Sequence, residues 1–151
     1  MSRTMLRTLL VLGTMLGAAG VAVASDCQEG RIRVRVDGSW IEEKAAYCFE
    51  AGSGFLLSRA CADDPLACRR KYVSQKLGPE PVKPIQIGSP GFKACERVHG
   101  KPEMIDYFWN GEWAESDRCL LEHGSKWFVS TGQVANWVVE TEEKAAPRRT
   151  K

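Results

Sequence analysis

The chain has 151 residues, and its 21 basic and 19 acidic side chains give a formal net charge of only +2. So small a net charge offers no electrostatic basis for binding nucleic acid, and no basic amphipathic helix favours a membrane surface. The length is sufficient for one domain or for two small ones.

Residues 1–24 have the pattern of a secretory signal peptide. Arg3 and Arg7 precede an apolar run over residues 9–22, and Ala22 and Ala24 form a small-residue cleavage site. Its removal leaves 151 − 24 = 127 residues, with 21 − 2 = 19 basic side chains against 19 acidic ones. We therefore expect a secreted or periplasmic protein with no stable membrane insertion after cleavage near Ala24.

The cysteines of the chain all follow the predicted signal peptide. An even number of cysteines behind an export signal favours three disulfides, and the absence of a C-x-x-C pair argues against a zinc site. We expect no metal and no cofactor. Counting alone allows 15 pairings. The six cysteines are Cys27, Cys48, Cys61, Cys68, Cys95 and Cys119.

Residues 25–78 are expected to form an N-terminal disulfide-bonded half that begins with a hairpin. Isoleucine and valine alternate with arginine over residues 31–36, which predicts a half-buried strand, and Asp37-Gly38 is a turn signal. Two interpretations of the next residues stay open: a return strand at Trp40, or a capped helix after Ser39. We favour a helix over residues 43–51, which are rich in helix formers.

A short strand over residues 55–58 and a helix over residues 65–77 complete this half. Asp64-Pro65 is a typical helix start, and Gly78 is a typical stop. Three prolines then make residues 79–88 a stiff, extended connector, which is the expected boundary between the two halves.

Residues 89–141 are expected to form a C-terminal disulfide-bonded half. Ser89-Pro90 starts a helix over residues 91–99, and Gly100 ends it. Alternating apolar residues lead to Asn110-Gly111, so residues 105–114 predict a hairpin with a type I′ turn. Strands over residues 127–129 and 133–140 follow, and the charged residues 142–151 are expected to be disordered.

Within residues 89–130 the chain resembles a known family, the putative-haemolysin domain of unknown function. The resembling residues are Ser89-Pro90-Gly91 before Cys95, then Gly100, and then Cys119 followed by Gly124-Ser125. That family consists of small secreted modules of bacterial cell-envelope proteins. The resemblance therefore implies an exported envelope protein, and it does not imply lytic activity.

Residues 31–42 align with residues 104–115, so that the two turn signals and the tryptophans Trp40 and Trp113 coincide. The match favours two related halves, although hairpin signals also recur in unrelated small secreted proteins. A rival alignment sets residues 46–48 against residues 93–95. The expected fold class is a small, disulfide-rich α+β protein of short helices and β-hairpins.

The predicted elements also suggest which cysteines pair. Cys95–Cys119 would join the predicted helix to the return segment of the hairpin, and closing that loop would contribute about 3 kcal/mol. The alignment of the halves then favours Cys27–Cys48, and Cys61–Cys68 follows by elimination.

Aromatic side chains of the hairpins are the candidate binding site. In the register of a two-residue turn, Phe108 faces Trp113, whereas Tyr107 and Trp109 lie on the other face. One face can be core while the other stacks on a sugar or a partner protein. We therefore expect a non-enzymatic exported cell-envelope protein that binds a protein or a glycan. The candidate binding residues are Trp40, Tyr107, Trp109, Trp113 and Trp127.

Two alternatives belong to other classes of function. A small secreted hydrolase would use hairpin carboxylates: Asp106 faces Glu115 in the predicted register, and Glu115 and Asp117 are the first to test. No catalytic or phosphate-binding motif accompanies them. An inhibitor would instead present the disulfide-braced loop over residues 62–67.

Overall fold

The fold was analysed in a computed structural model that describes residues 26–74, 76–80, 89–122 and 126–146. The predicted signal peptide, most of the proline-rich connector and the last five residues of the charged tail lie outside the described residues. The strands are β1 (Asp26–Val36), β2 (Ser39–Phe49), β3 (Leu56–Ser58), β4 (Lys101–Trp109), β5 (Glu112–Leu120) and β6 (Phe128–Val129). The helices are α1 (Arg59–Asp63), α2 (Pro65–Val73), α3 (Pro90–Arg97) and α4 (Thr131–Ala145).

The strands form one closed barrel in the order β1-β2-β3-β6-β5-β4, and β4 pairs with β1 to close it. Residues 25–78 and residues 89–141 each contribute three of these strands to the shared barrel. The prediction of a small α+β protein with disulfides is confirmed. The closure of the hairpins into a barrel was not predicted.

Both predicted turns form as their sequences require. Asp37 and Gly38 have φ angles of 50° and 82°, and Asn110 and Gly111 have φ angles of 49° and 88°. Positive φ at both central residues is the geometry of a type I′ turn, which Asp-Gly and Asn-Gly adopt readily. The turns set long antiparallel registers between β1 and β2 and between β4 and β5.

The two hairpins meet in a symmetric register. Arg33 of β1 pairs with Asp106 of β4, and 106 − 33 = 73. The flanking pairs are Ile32 with Tyr107 and Val34 with Ile105. Adding 73 to the β1 residue of one pair gives the β4 residue of the other pair, so the two pairs are related by symmetry. The aligned segments 31–42 and 104–115 therefore occupy equivalent places on either side of an approximate two-fold axis.

The structure corrects three predictions of local structure. The charged residues 142–145, which were expected to be disordered, form the end of α4. Residues 43–51 are not a helix, because residues 39–49 form β2 and pair along the whole length of β1. Residues 133–140 are not a strand, because they lie within α4, whose buried side chains Thr131, Val134 and Val138 recur every three or four residues. In both places tertiary pairing or packing overrides the local pattern. The helix predicted over residues 65–77 ends at Val73.

The strands separate two groups of buried side chains. One group fills the barrel, and the second packs the helices against the outer side of the short strands, where Leu57 pairs with Val129. The barrel interior contains Ile32, Tyr47, Leu56, Ile105, Leu120 and Phe128. The helical layer includes Tyr72, Val98, Val134 and Val138.

The three expected disulfide pairings are present. Cys27–Cys48 joins directly opposite residues of β1 and β2. Cys61–Cys68 ties α1 to α2, and Cys95–Cys119 ties α3 to β5 within the helical layer. No cysteine among the described residues is free.

Candidate binding face

The β4–β5 hairpin presents aromatic side chains on both of its faces, in the predicted register. Phe108 lies opposite Trp113, and their ring centroids are 5.2 Å apart. Tyr107 and Trp109 point to the other side of the sheet, since successive side chains of a strand alternate.

Tyr107 and Trp109 pack towards the barrel interior. The ring of Phe49 lies 4.7 Å from that of Trp109 and 5.2 Å from that of Tyr107, between ring centroids. Both residues border the barrel core. The structure therefore does not place these two predicted binding residues on the same face as Trp40 and Trp113.

A buried polar cluster holds this inner aromatic group in place. The side-chain amide of Gln28 donates hydrogen bonds to the Tyr47 hydroxyl (2.6 Å) and to the Phe108 carbonyl (2.7 Å), and the Tyr47 hydroxyl also donates to that carbonyl. Burial raises the pKa of Tyr47 above its ordinary value, because the phenolate would be desolvated. Tyr47 is therefore neutral and acts as a structural donor.

The outer side of β1, β2, β4 and β5 carries alternating arginines and aromatic rings, which we call the arginine–aromatic face. The guanidinium carbon of Arg33 lies 4.4 Å from the ring centroid of Trp40 and 4.2 Å from that of Trp113. The Arg31 guanidinium lies 4.4 Å from Phe108 and 5.2 Å from Trp113. At these separations the cations are attracted to the faces of the rings. The face consists of Arg31, Arg33, Arg35, Trp40, Phe108 and Trp113.

Carboxylates fix the arginines of this face. Arg33 donates to Asp106 at 2.7 and 2.8 Å through its Nη2 and Nε atoms, and Asp106 is buried. Asp106 also lies opposite Glu115, as predicted, and the pairing with Arg33 on the neighbouring strand offsets the repulsion between the two acids. Arg31 pairs with Glu42 at 3.3 Å on the exposed surface. The stacked side chains are thus held in defined positions.

The arginine–aromatic face is partly open to solvent. Arg31, Arg35 and Trp40 are exposed, whereas Arg33, Phe108 and Trp113 are half-buried. Trp40 is 47% exposed, and Met104, which precedes Asp106 by two residues on the same side of β4, is 54% exposed. Large apolar side chains that stay exposed on a sheet indicate an interaction surface when they lie together.

Trp127 lies elsewhere, against the helical layer. It is half-buried beside the core cluster of that layer, and the Lys71 ammonium nitrogen is 5.0 Å from its ring centroid. The structure therefore brings together only Trp40 and Trp113 of the five predicted binding residues. Sequence analysis missed Arg31, Arg33 and Arg35 as members of the site. The alternation over residues 31–36 had already placed these arginines on one side of the strand. That pattern was the signal from which they could have been included in the site.

Two of the three carboxylates of the hydrolase alternative have structural partners. Asp117 Oδ1 accepts hydrogen bonds from the Ser130 hydroxyl (3.0 Å) and the Thr131 backbone N–H (2.7 Å), at the start of α4. Asp106 is paired with Arg33. Glu115 lies exposed on β5. Asp106 and Asp117 are therefore engaged in structural contacts, whereas Glu115 remains open to solvent.

A second ionic group lies on the inner side of the barrel wall. The buried Arg118 binds Glu103 at 3.0 Å and also pairs with Glu43. Burial alone acts to raise the pKa of Glu103, but hydrogen bonding by Lys101 and the charge of Arg118 bring that pKa below its usual value. The group links β2, β4 and β5.

The segment proposed for an inhibitor loop is helical. Residues 59–63 form α1, and α2 begins at Pro65, where the Asp64 side chain accepts a hydrogen bond from the Ala67 N–H. Only Asp64 lies between the two helices, so the disulfide Cys61–Cys68 closes a helical corner. An extended loop of the kind that a protease cleaves is not formed there.

Across the described ranges no group of three or more His, Cys, Asp and Glu side chains is arranged to hold a metal ion. No helix in those ranges is long and apolar enough to cross a membrane. Comparison with known proteins gives no match to a family model, to a curated protein or to a solved structure.

Proposed function

We propose that the protein is an exported, non-enzymatic cell-envelope protein that binds a glycan through the arginine–aromatic face. The observation that carries the proposal is the stack of Trp40, Arg33 and Trp113 on an open side of the sheet. Flat rings held by cations offer apolar surfaces for sugar rings, while the neighbouring guanidinium and carboxylate groups can hydrogen-bond hydroxyls.

Preorganisation supports this function. Arg33 is held by Asp106 and stacked between two indoles, so little side-chain entropy remains to be lost when a ligand binds. The disulfide Cys27–Cys48 and the Asp37-Gly38 turn constrain the strands that carry Trp40. Export and a disulfide-forming compartment are part of the proposal, and the three disulfides are compatible with them.

A protein partner is the second candidate, favoured by the exposed apolar side chains near the first hairpin turn. Val36 is 42% and Ile41 is 55% exposed, on the opposite side of the hairpin from Trp40. A protein that grasped the hairpin tip would cover both sides, whereas a glycan would contact the arginine–aromatic face alone.

The test is retention of the oxidised mature protein on two fractions, purified cell-wall polysaccharide and cell-envelope proteins. The parent is compared with Trp113→Ala and with Leu66→Ala, which removes a 70% exposed apolar side chain of α2. We expect retention on polysaccharide by the parent and by Leu66→Ala, and loss with Trp113→Ala. Retention on proteins only would favour the second candidate. Equal retention of the parent and both variants would contradict a role for the face.

A further inference from the structure

A cleft of about 500 Å³ lies between β2 and α1, and no residue of the arginine–aromatic face lines it. Its strand side is formed by the consecutive residues 43–46 and its helix side by Arg59, Ala60 and Asp63. Because consecutive residues of a strand alternate in direction, a cleft that touches all four is lined by the backbone edge of the strand. Lys126 and Phe128 complete the lining.

This edge of β2 has no strand partner in the described part of the chain. β3 pairs with β2 only at Tyr47, Cys48 and Phe49, and the chain then leaves the sheet at Ser58 to begin α1. The residues from Ser39 to Ala46 pair with β1 alone. The backbone N–H and C=O groups on their outer edge are therefore available to an added strand.

The cleft is cationic, and its cations lack acidic partners. Lys44, Arg59 and Lys126 line it, and no ion pair or side-chain hydrogen bond joins them to another described residue. The Nε atom of Arg59 is buried without a hydrogen-bond partner. Two acids also line the cleft, but Glu43 is paired with Arg118, which leaves Asp63 as the single unpaired acid against three bases.

The equivalent place in the other hairpin contains a carboxylate. Under the shift of 73 positions, Asp117 of β5 is the equivalent of Lys44 of β2. Arg59 and Thr131 are likewise equivalent, since each follows by two residues a member of the Leu57–Val129 pair. In the C-terminal half Asp117 bridges the strand to Ser130 and Thr131 at the start of the helix. In the N-terminal half the acid is replaced by a lysine, and an arginine stands at the helix start.

We propose that this cleft binds an extended peptide segment of a partner protein, which adds to the edge of β2 and places an acidic side chain against Arg59 and Lys44. The partner carboxylate takes the place that Asp117 occupies in the C-terminal half. Backbone hydrogen bonds to residues 43–46 align the segment, and the charge-assisted contact with the guanidinium sets its register. This inference is independent of the proposed glycan site, because no residue of the arginine–aromatic face lines the cleft.

The test is an NMR titration of isotope-labelled mature protein with an acetylated, amidated peptide of alternating valine and glutamate. Alternate side chains of an added strand face the same way, so every glutamate of the probe can face the cations. We expect saturable shifts of the Arg59 Nε–H signal and of the backbone amides of residues 43–46. The same peptide with glutamine in place of glutamate should bind about tenfold more weakly, because hydrogen bonds to charged groups are the stronger ones.

Variants distinguish a loss of binding caused by a missing charge from a loss caused by unfolding. Arg59→Gln should weaken binding of the glutamate peptide about tenfold, whereas Arg70→Gln, on the exposed side of α2, should leave it unchanged. Lys44→Asp places an acid where Asp117 stands in the other half. We expect it to abolish binding and, because Lys44 is exposed, to preserve the fold, which circular dichroism checks. A probe with N-methyl groups on alternate amides should lose binding if strand addition is correct.

Three outcomes would overturn the proposal. They are the absence of saturable shifts at Arg59 and residues 43–46, equal affinity for the glutamate and glutamine peptides, and equal losses with Arg59→Gln and Arg70→Gln. Loss of binding to cell-wall polysaccharide would not bear on this cleft, so the two sites can fail separately.

Discussion

The two halves of the barrel have the same order of hairpin, short strand and helix, yet they join strand to helix in different ways. In the C-terminal half, Asp117 closes the gap between β5 and α4 through two hydrogen bonds. In the N-terminal half, Lys44 and Arg59 leave the corresponding cleft open. The comparison shows that one carboxylate joins strand to helix in the C-terminal half, and that a lysine stands at its equivalent position in the N-terminal half.

The disulfides differ between the halves as well. Cys27–Cys48 links the two strands of the first hairpin, whereas Cys95–Cys119 links the second hairpin to α3 and lies at the centre of the helical layer. The first braces the strand that carries Trp40, and the second fixes the helices to the barrel.

The largest expected change in the free energy of unfolding comes from removing the disulfides that distinguish the two halves. Removing Cys95–Cys119 with the pair Cys95→Ala and Cys119→Ala should lower the free energy of unfolding by about 3 kcal/mol or more, because a long loop opens in the unfolded chain and buried contacts are lost. Removing Cys27–Cys48 in the same way should cost less, since Cys27 is only partly buried. Denaturant unfolding of the two double variants measures the order, and the reverse order would contradict the contrast.

The next effect concerns the junction in the C-terminal half. Asp117→Ala removes the acceptor for the Ser130 hydroxyl and the Thr131 N–H, and it should destabilise the protein by about 1–2 kcal/mol, as loss of a helix cap does. Glu115→Ala, two residues earlier on the same strand and exposed, is the control and should change stability by less than about 0.5 kcal/mol. Thermal unfolding of both variants decides; equal effects would mean that Asp117 does not hold α4.

A pH-dependent effect tests the ionic group that spans the barrel wall. The pKa of Glu103 is lowered in the folded protein, so its contribution to stability is present above the unfolded value of about 4.5 and is lost as the pH falls through the folded value. Glu103→Gln should therefore reduce stability near neutral pH and flatten the decline of stability in acid. Unfolding measured at a series of pH values checks the slope, and an unchanged slope in the variant would refute the assignment.

The smallest expected change in stability belongs to the proposed binding face. Trp40→Ala removes a half-exposed ring and should alter the free energy of unfolding by about 1 kcal/mol or less, because little buried area is lost. Binding to cell-wall polysaccharide should nevertheless be lost, since alanine leaves no surface for ring stacking. Parallel unfolding and binding measurements check the two parts, and unchanged binding would remove Trp40 from the site.

Local signals in the sequence were sufficient for the turns and α3, whereas the disulfide pairings also needed the comparison of the two halves. Asp37-Gly38 and Asn110-Gly111 fix the hairpins because few residues tolerate the required positive φ, and Ser89-Pro90 starts α3 with a side-chain cap on the Phe92 N–H. The alignment of residues 31–42 with residues 104–115 identified equivalent strands, but it did not contain the register of β1 against β4. It did not by itself indicate that the equivalent strands pair with each other.

The errors arise where distant residues decide the structure. The start of α4 depends on Asp117, which lies 14 residues before Thr131, so the local sequence carries no side-chain cap. Residues 43–49 favour a helix locally, but cross-strand pairing with β1 makes them a strand. The arginine–aromatic face is likewise non-local, because it combines side chains from four strands that sequence analysis had placed in separate halves.

The most direct test of the central claim is to follow the indole N–H signals of the tryptophans by NMR while soluble fragments of cell-wall polysaccharide are added to the oxidised mature protein. Trp40 and Trp113 lie on the arginine–aromatic face, whereas Trp109 packs towards the barrel interior and serves as an internal control. Our account predicts saturable shifts of the Trp40 and Trp113 signals with the Trp109 signal unchanged. If Trp40 and Trp113 do not respond, or if Trp109 alone responds, the face is not a glycan-binding site.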